Sequence, residues 1–182
     1  MQDGTGQVTA LWERISETPL AFDARFGADR LAELDAIARA TPGVGALLAR
    51  EPVRARLTGA LGSSPYLAGL ILRDPVRLTR ILASAPEAHL AQLGIQLDTD
   101  MASAATQADA MRILRRYKTE VALLVALADL GGAWPVMTVT AALSDAADAT
   151  TRATVRFLFK AAIAKGDWLG GDGDTPEANS GY

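Results

Sequence analysis

Few side chains in this sequence have the type and spacing that catalysis or metal binding needs. It holds one histidine, His89, and no cysteine. That removes thiolate zinc sites, cysteine nucleophiles, disulfides and multi-histidine metal sites together. His89 stands alone after Pro86-Glu87-Ala88 and reads as a structural or surface histidine rather than a general base. Gly62-Ser63-Ser64-Pro65-Tyr66 falls short of a nucleophile elbow, because Tyr66 occupies the place of the second glycine. No glycine-rich turn ends in Gly-Lys-Ser/Thr, so no phosphate loop is present, and Gly4-Thr5-Gly6 lacks the third glycine of a dinucleotide fingerprint. Asp172-Gly173-Asp174 begins like a calcium loop but lacks the later glycine and the closing glutamate, and reads as an acidic solvated tail. No catalytic, cofactor-binding or metal-ligating residue is assigned.

Two features stand apart from these motifs. Arg73, Arg77 and Arg80 recur at i, i+4 and i+7 and form a basic stripe. It could receive an acidic partner or a phosphate, but a solvated helix face is the favoured reading. Asp129 lies at the end of an apolar helix, where the macrodipole disfavours an anion. The sequence therefore predicts a pairing partner for it, an arginine or a backbone N–H.

The elements that must carry these residues read as helices. Ala (36) and Leu (24) together supply a third of the 182 residues, hydrophobic residues make up 49%, and aromatics 5%. Ala and Leu are strong helix formers, whereas strands favour β-branched and aromatic residues. Proline is tolerated at the first helical position, and Pro42, Pro52, Pro65, Pro75 and Pro86 divide the chain into short helices. Thr41, Ser64 and Asp74 precede three of them as caps; Glu51 and Ala85 punctuate without a good cap. Earlier helices are predicted near Gln7–Glu17 and over Asp29–Ala40, with Leu31, Leu34, Ile37 and Ala38 on one face.

Gly94–Thr99 reads as a break, with Asp98, Thr99 or Asp100 capping a long helix that stops at Gly131-Gly132. Ala110, Leu114, Tyr117, Val121, Leu124 and Ala128 form its core stripe, and Asp109–Arg112 and Arg116–Glu120 its outer pairs. From Val121 the helix is apolar on every side and should be enclosed by neighbours. A second long helix is predicted from Val136 to about Lys165, facing inward through Val136, Val139, Thr140, Leu143, Ala146, Ala147 and Thr150. A strand over Val136–Thr140 is the weaker alternative. Gly166–Tyr182, rich in glycine and acids, reads as a flexible linker. The fold class is all-α, a bundle of short proline-opened helices followed by two long packed helices.

Lys and Arg number 18 against 21 acids, with no strongly basic block, which argues against a nucleic-acid partner. The longest apolar run, Val121–Ala128, is far short of the roughly 20 residues needed to span a bilayer. No signal-peptide pattern opens the chain, and a cytoplasmic protein is expected.

A resemblance adds to this reading. Leu114-Arg-Arg-Tyr-Lys118, then Leu127-Ala-Asp-Leu-Gly-Gly132, then Ala142-Leu-Ser-Asp-Ala-Ala-Asp148 resemble, in order and spacing, the bifunctional glutamine synthetase adenylyltransferase/adenylyl-removing enzymes. Ser64-Pro-Tyr-Leu-Ala-Gly-Leu70 and Arg73-Asp-Pro-Val76 look like the helical region of that family. Ala128 stands where the family often has Arg, and Ala146 where Leu is common. The resemblance spans about residues 60 to 165. It implies an N-terminal part of an enzyme that attaches AMP to a tyrosine of glutamine synthetase and removes it by phosphorolysis. It also implies Mg²⁺ and ATP as cofactors, and glutamine synthetase and the PII signal protein as partners. The family's catalytic carboxylates belong to a Gly-x-Gly-Lys and Asp-x-Asp module that these 182 residues lack, so the piece alone is expected to be inactive. The implied organisation is an N-terminal helical region over 1–97, a helical lead-in to the nucleotidyltransferase module over 98–165, and a linker over 166–182. A self-standing helical interaction scaffold is the alternative.

Overall fold

The structure is a computed structural model that describes residues 9–169 and 175–177. The described residues form an all-α fold without a strand. In chain order the helices are α1 (Leu11–Arg14), α2 (Ala24–Ala38), α3 (Pro42–Leu48), α4 (Glu51–Ser63), α5 (Pro65–Arg73), α6 (Pro75–Ala83), α7 (Pro86–Ala102), α8 (Gln107–Leu130) and α9 (Val136–Lys165). Helices α3 to α7 each carry a proline in the first turn. Ser64 accepts a hydrogen bond from Leu67 N at 3.3 Å, and Asp74 from Arg77 N at 2.9 Å, as caps should. Thr41 makes no side-chain cap.

One apolar core runs from α1 to α9. At its N-terminal end α2 and α4 touch backbone to backbone. A Cβ on Gly27 would stand 2.9 Å from the Thr58 carbonyl oxygen. The strand-like connection between α1 and α2 then crosses α4, where a Cβ on Gly59 would fall 1.9 Å from the Pro19 oxygen. Gly59→Ala is accordingly expected to cost about 1–3 kcal/mol, the usual range for forced overpacking. A urea midpoint matching the wild type would show that this crossing can move aside.

Four expectations need correction. The first helix keeps only Leu11–Arg14, with Gln7 and Val8 outside the described residues. Its continuation is extended because Ser16 and Glu17 donate their N–H groups to the Gly131 oxygen at 3.0 and 3.1 Å. The second helix begins at Ala24, five residues earlier than predicted, because Asp23 caps it through Phe26 N. The break at Gly94–Thr99 does not exist. α7 runs straight through it, so residues 97 and 98 are consecutive in one helix. A helical glycine costs only about 1 kcal/mol, whereas continuity buries Leu97 and Met101. Thr106 caps α8 instead, accepting from Asp109 N and donating to the Asp109 carboxylate.

The fourth correction concerns α9. It is helical from Val136, but it faces the core through Val139, Ala142, Ala146, Ala149, Ala153 and Phe157. Val136 and Leu143, expected inside, are exposed. Small alanines let α9 approach α7 and α8 closely, and this decides its rotation over the larger residues. By contrast α8 matches its predicted stripe. Five of the six residues are buried, Leu114 partly, and the second half is enclosed on nearly every side.

Beyond α9, Gly166 adopts a left-handed conformation (φ 78°) as the helix stop. Trp168 packs edge-on against Phe159 with centroids 5.3 Å apart. Glu177 accepts from Arg156 at 2.9 and 2.7 Å. Two points of the predicted linker are thus fastened to α9.

Candidate functional site

The basic stripe divides. Asp74 caps α6 and leaves Arg73 exposed at the end of α5, while Arg77 and Arg80 on α6 turn toward α8. Between them lies Glu120, the one buried charged side chain among the described residues, 4% exposed. Glu120 Oε1 accepts from Arg80 Nη2 at 2.5 Å and from Arg80 Nε at 3.1 Å. Glu120 Oε2 lies 3.2 Å from Arg77 Nε, and Arg77 also pairs with Asp74 at 3.0 Å. His89 Nε2, from α7, completes the group 3.3 Å from Glu120 Oε1. One carboxylate therefore joins α6, α7 and α8.

Burial opposes ionisation of Glu120. The hydrogen bonds from His89 and Arg80, with the charges of Arg80 and Arg77, outweigh it and hold the carboxyl below its ordinary value. Such an anion is a poor proton acceptor. Among the described residues its side-chain partners are Arg77, Arg80 and His89, with no serine or threonine hydroxyl bonded to it. The charges nearby also balance: Arg77, Arg80 and Arg116 oppose Asp74, Asp100 and Glu120. The adjoining cleft of about 490 Å³, lined by Gln92, Gln96 and Arg116 among others, therefore offers no excess positive charge for a phosphate. The cluster is a structural clamp.

Sequence reasoning missed Glu120 by pairing it with Arg116 on the outer face. Arg116 instead reaches Asp100 on α7. The signal was present, since Ile113, Tyr117, Glu120, Leu124 and Leu127 recur at spacings of 4, 3, 4 and 3 and are all buried. The predicted Asp109–Arg112 pair does form, at 3.1 Å.

A second clamp lies at the same N-terminal end of α7, two residues before His89. Arg14 donates to both Glu87 oxygens at 2.8 and 2.6 Å and to the Ala133 carbonyl at 3.2 Å. Trp134 Nε1 donates to Glu87 Oε1 at 2.7 Å. Burial raises the Glu87 pKa, but the bonds from Arg14 and Trp134 prevail and lower it. α1, α7 and the α8–α9 turn are thereby joined.

The remaining candidates carry no chemistry. Asp129 is exposed, with no side-chain partner among the described residues. The predicted pairing partner is therefore not found among the described residues. The helix end is closed instead by Gly131 N and Gly132 N, which donate to the Leu127 and Asp129 carbonyls. Ser63 donates to the Gly59 and Leu20 carbonyls, and Ser64 is a cap, so neither is a nucleophile. Gly4–Gly6 and Asp172–Asp174 lie outside the described residues. Among the described residues no group of three His, Asp or Glu side chains could hold a metal ion, and the acids of the cluster are taken up by guanidinium groups. This donor set does not fit a magnesium–nucleotide complex. No helix among them is long and apolar enough to cross a membrane.

Comparison with known proteins gives a consistent picture. The family model described as glutamate-ammonia ligase adenylyltransferase matches residues 54–178. A bifunctional glutamine synthetase adenylyltransferase/adenylyl-removing enzyme from Bradyrhizobium sp. strain BTAi1 is 43% identical over 136 residues, covering 75% of this chain and 14% of that protein. One of the same description from Rhodopseudomonas palustris strain TIE-1 is 39% identical over 176 residues, covering 95% and 18%. A third, from Xanthobacter autotrophicus, is 47% identical over 114 residues, covering 62% and 11%. The chain thus spans under a fifth of the length of these relatives. No solved structure matches it.

Proposed function

Because the chain belongs to the glutamate-ammonia ligase adenylyltransferase family, we propose that it is the N-terminal helical part of a longer enzyme acting on glutamine synthetase. That enzyme transfers AMP from ATP to a tyrosine of glutamine synthetase and removes it by phosphorolysis, releasing ADP. It acts in the cytoplasm and regulates nitrogen assimilation, with the PII signal protein and glutamine setting the balance. Mg²⁺ and ATP are held by residues beyond these 182, in a nucleotidyltransferase module for which α8 and α9 form the lead-in.

One observation carries the proposal. The family match over 54–178 takes in all of α5–α9 and most of α4, and with them every member of the Glu120 clamp. The role of the present residues is mechanical: the clamps hold α6, α7, α8 and the α8–α9 turn in fixed relation. The 182-residue chain, incubated with adenylylated glutamine synthetase, phosphate and Mg²⁺, is expected to release no ADP. The polypeptide extended through its natural reading frame is expected to release it. ADP release by the short chain above a buffer control, or none by the extended one, would overturn the reading. A natural reading frame lacking any Gly-x-Gly-Lys and Asp-x-Asp module favours a helical scaffold instead.

A further inference from the structure

The flank of α9 that faces away from α7 forms an open groove with α8. Its volume is about 600 Å³. Leu114 and Val121 of α8 and Leu143 and Ala147 of α9 form its apolar floor, and Arg115 and Lys118 stand along its α8 side. Leu143 is 48% exposed there. Neither Arg115 nor Lys118 forms an ion pair among the described residues. α9, roughly 45 Å long, fully buries only Ala142 and Ala153.

None of residues 175–177, the described residues that return along α9, lines this groove. Glu177 binds Arg156 on the α7 flank, where Asp98 of α7 is a further acidic neighbour. A symmetric pair of copies is disfavoured too. An isologous contact lays one patch on itself, which would gather two Arg115/Lys118 rims into one interface against like-charge repulsion. The proposed function supplies an occupant, because the relatives carry more than four-fifths of their length outside the matched part.

We propose that the α8–α9 groove receives an amphipathic helix from the same polypeptide beyond residue 182, its apolar stripe on the groove floor and acidic residues against Arg115 and Lys118. Apolar residues at i, i+3, i+4 and i+7 suit a groove of this kind. The inference rests on the functional reading above, yet its test needs no activity.

The chain has no cysteine, so a single introduced thiol reports access to the groove. Ala147→Cys is compared with a control, Gln107→Cys, at the exposed start of α8, by iodoacetamide labelling read by peptide mass spectrometry. In the 182-residue chain both thiols are expected to label at similar rates. In the extended polypeptide Ala147→Cys should label about 100-fold more slowly, as a covered site does, with Gln107→Cys unchanged. The charge reversal Arg115→Glu with Lys118→Glu should restore labelling of Ala147→Cys by roughly tenfold. A photo-crosslinking residue at Thr151 should join α9 to a segment beyond 182. Fast labelling in the extended polypeptide overturns the proposal, as does labelling unaffected by the charge reversal. A crosslink to a second copy or to another protein does so as well. An extended enzyme that releases ADP while its groove stays open sinks the docking proposal alone; an extended polypeptide that releases none sinks the functional reading.

Discussion

Glu120→Ala is expected to destabilise the protein by about 3–5 kcal/mol, the range for removing one partner of a buried ion pair. At this chain length that corresponds to a fall in Tm of roughly 6–20 °C. The substitution leaves Arg77, 15% exposed at its side chain, with Asp74 as its one remaining ion-pair partner among the described residues, and it frees His89, which is 10% exposed at its side chain. It also unties α6 and α7 from α8 at once. Glu120→Gln keeps the volume and one acceptor and should cost less. The pH dependence separates the charge from the packing. Because the folded carboxyl sits below its ordinary value of 4.5, its contribution is present above that value. It is lost as pH falls through the lower folded value, since protonation then proceeds first in the unfolded chain. The gap in urea midpoint between wild type and Glu120→Gln should therefore be widest at neutral pH and narrow in acid. An equal gap at every pH would show that the anion contributes nothing and that only its shape matters.

Leu124→Ala, in the second half of α8, is expected to cost about 2–5 kcal/mol. Leu124 is fully buried on the stripe it shares with Tyr117 and Val121, in the half of α8 that neighbours enclose. The contrast is Arg112→Ala on the outer face, where only the exposed pair with Asp109 is lost and about 0.5 kcal/mol or less is expected. Urea midpoints of the two variants compare one helix with itself. A larger loss for Arg112→Ala would mean that α8 is rotated from the phase described.

The helical class and most of the punctuation were legible because they rest on local physics. A proline in a first turn acts on its own few residues, and so do the caps Ser64 and Asp74. The stripe of α8 was legible for the same reason: a 24-residue helix repeats its pattern often enough to fix its phase. The candidate site was not legible. Arg73, Arg77 and Arg80 form one face only within a single helix, and the cap at Asp74 ends one helix and starts the next between the first and second. Glu120 looked like an outer-face partner of Arg116, the nearest opposite charge in sequence. Its real partners stand 40 and 31 residues away, at Arg80 and His89.

The sequence by itself determined where most helices start and stop, that the second half of α8 is enclosed, and which family the motifs resemble. Only the tertiary structure decided that Glu120 is inside, that α7 passes through Gly94, that α1 ends at Arg14, and that α9 turns its alanines inward. The physical reason is the same in each case. Local propensities differ by about 1 kcal/mol or less per residue. A distant arginine, a buried Leu97 or a close approach of two helices contributes more than that, and none of these is visible in a window of neighbouring residues.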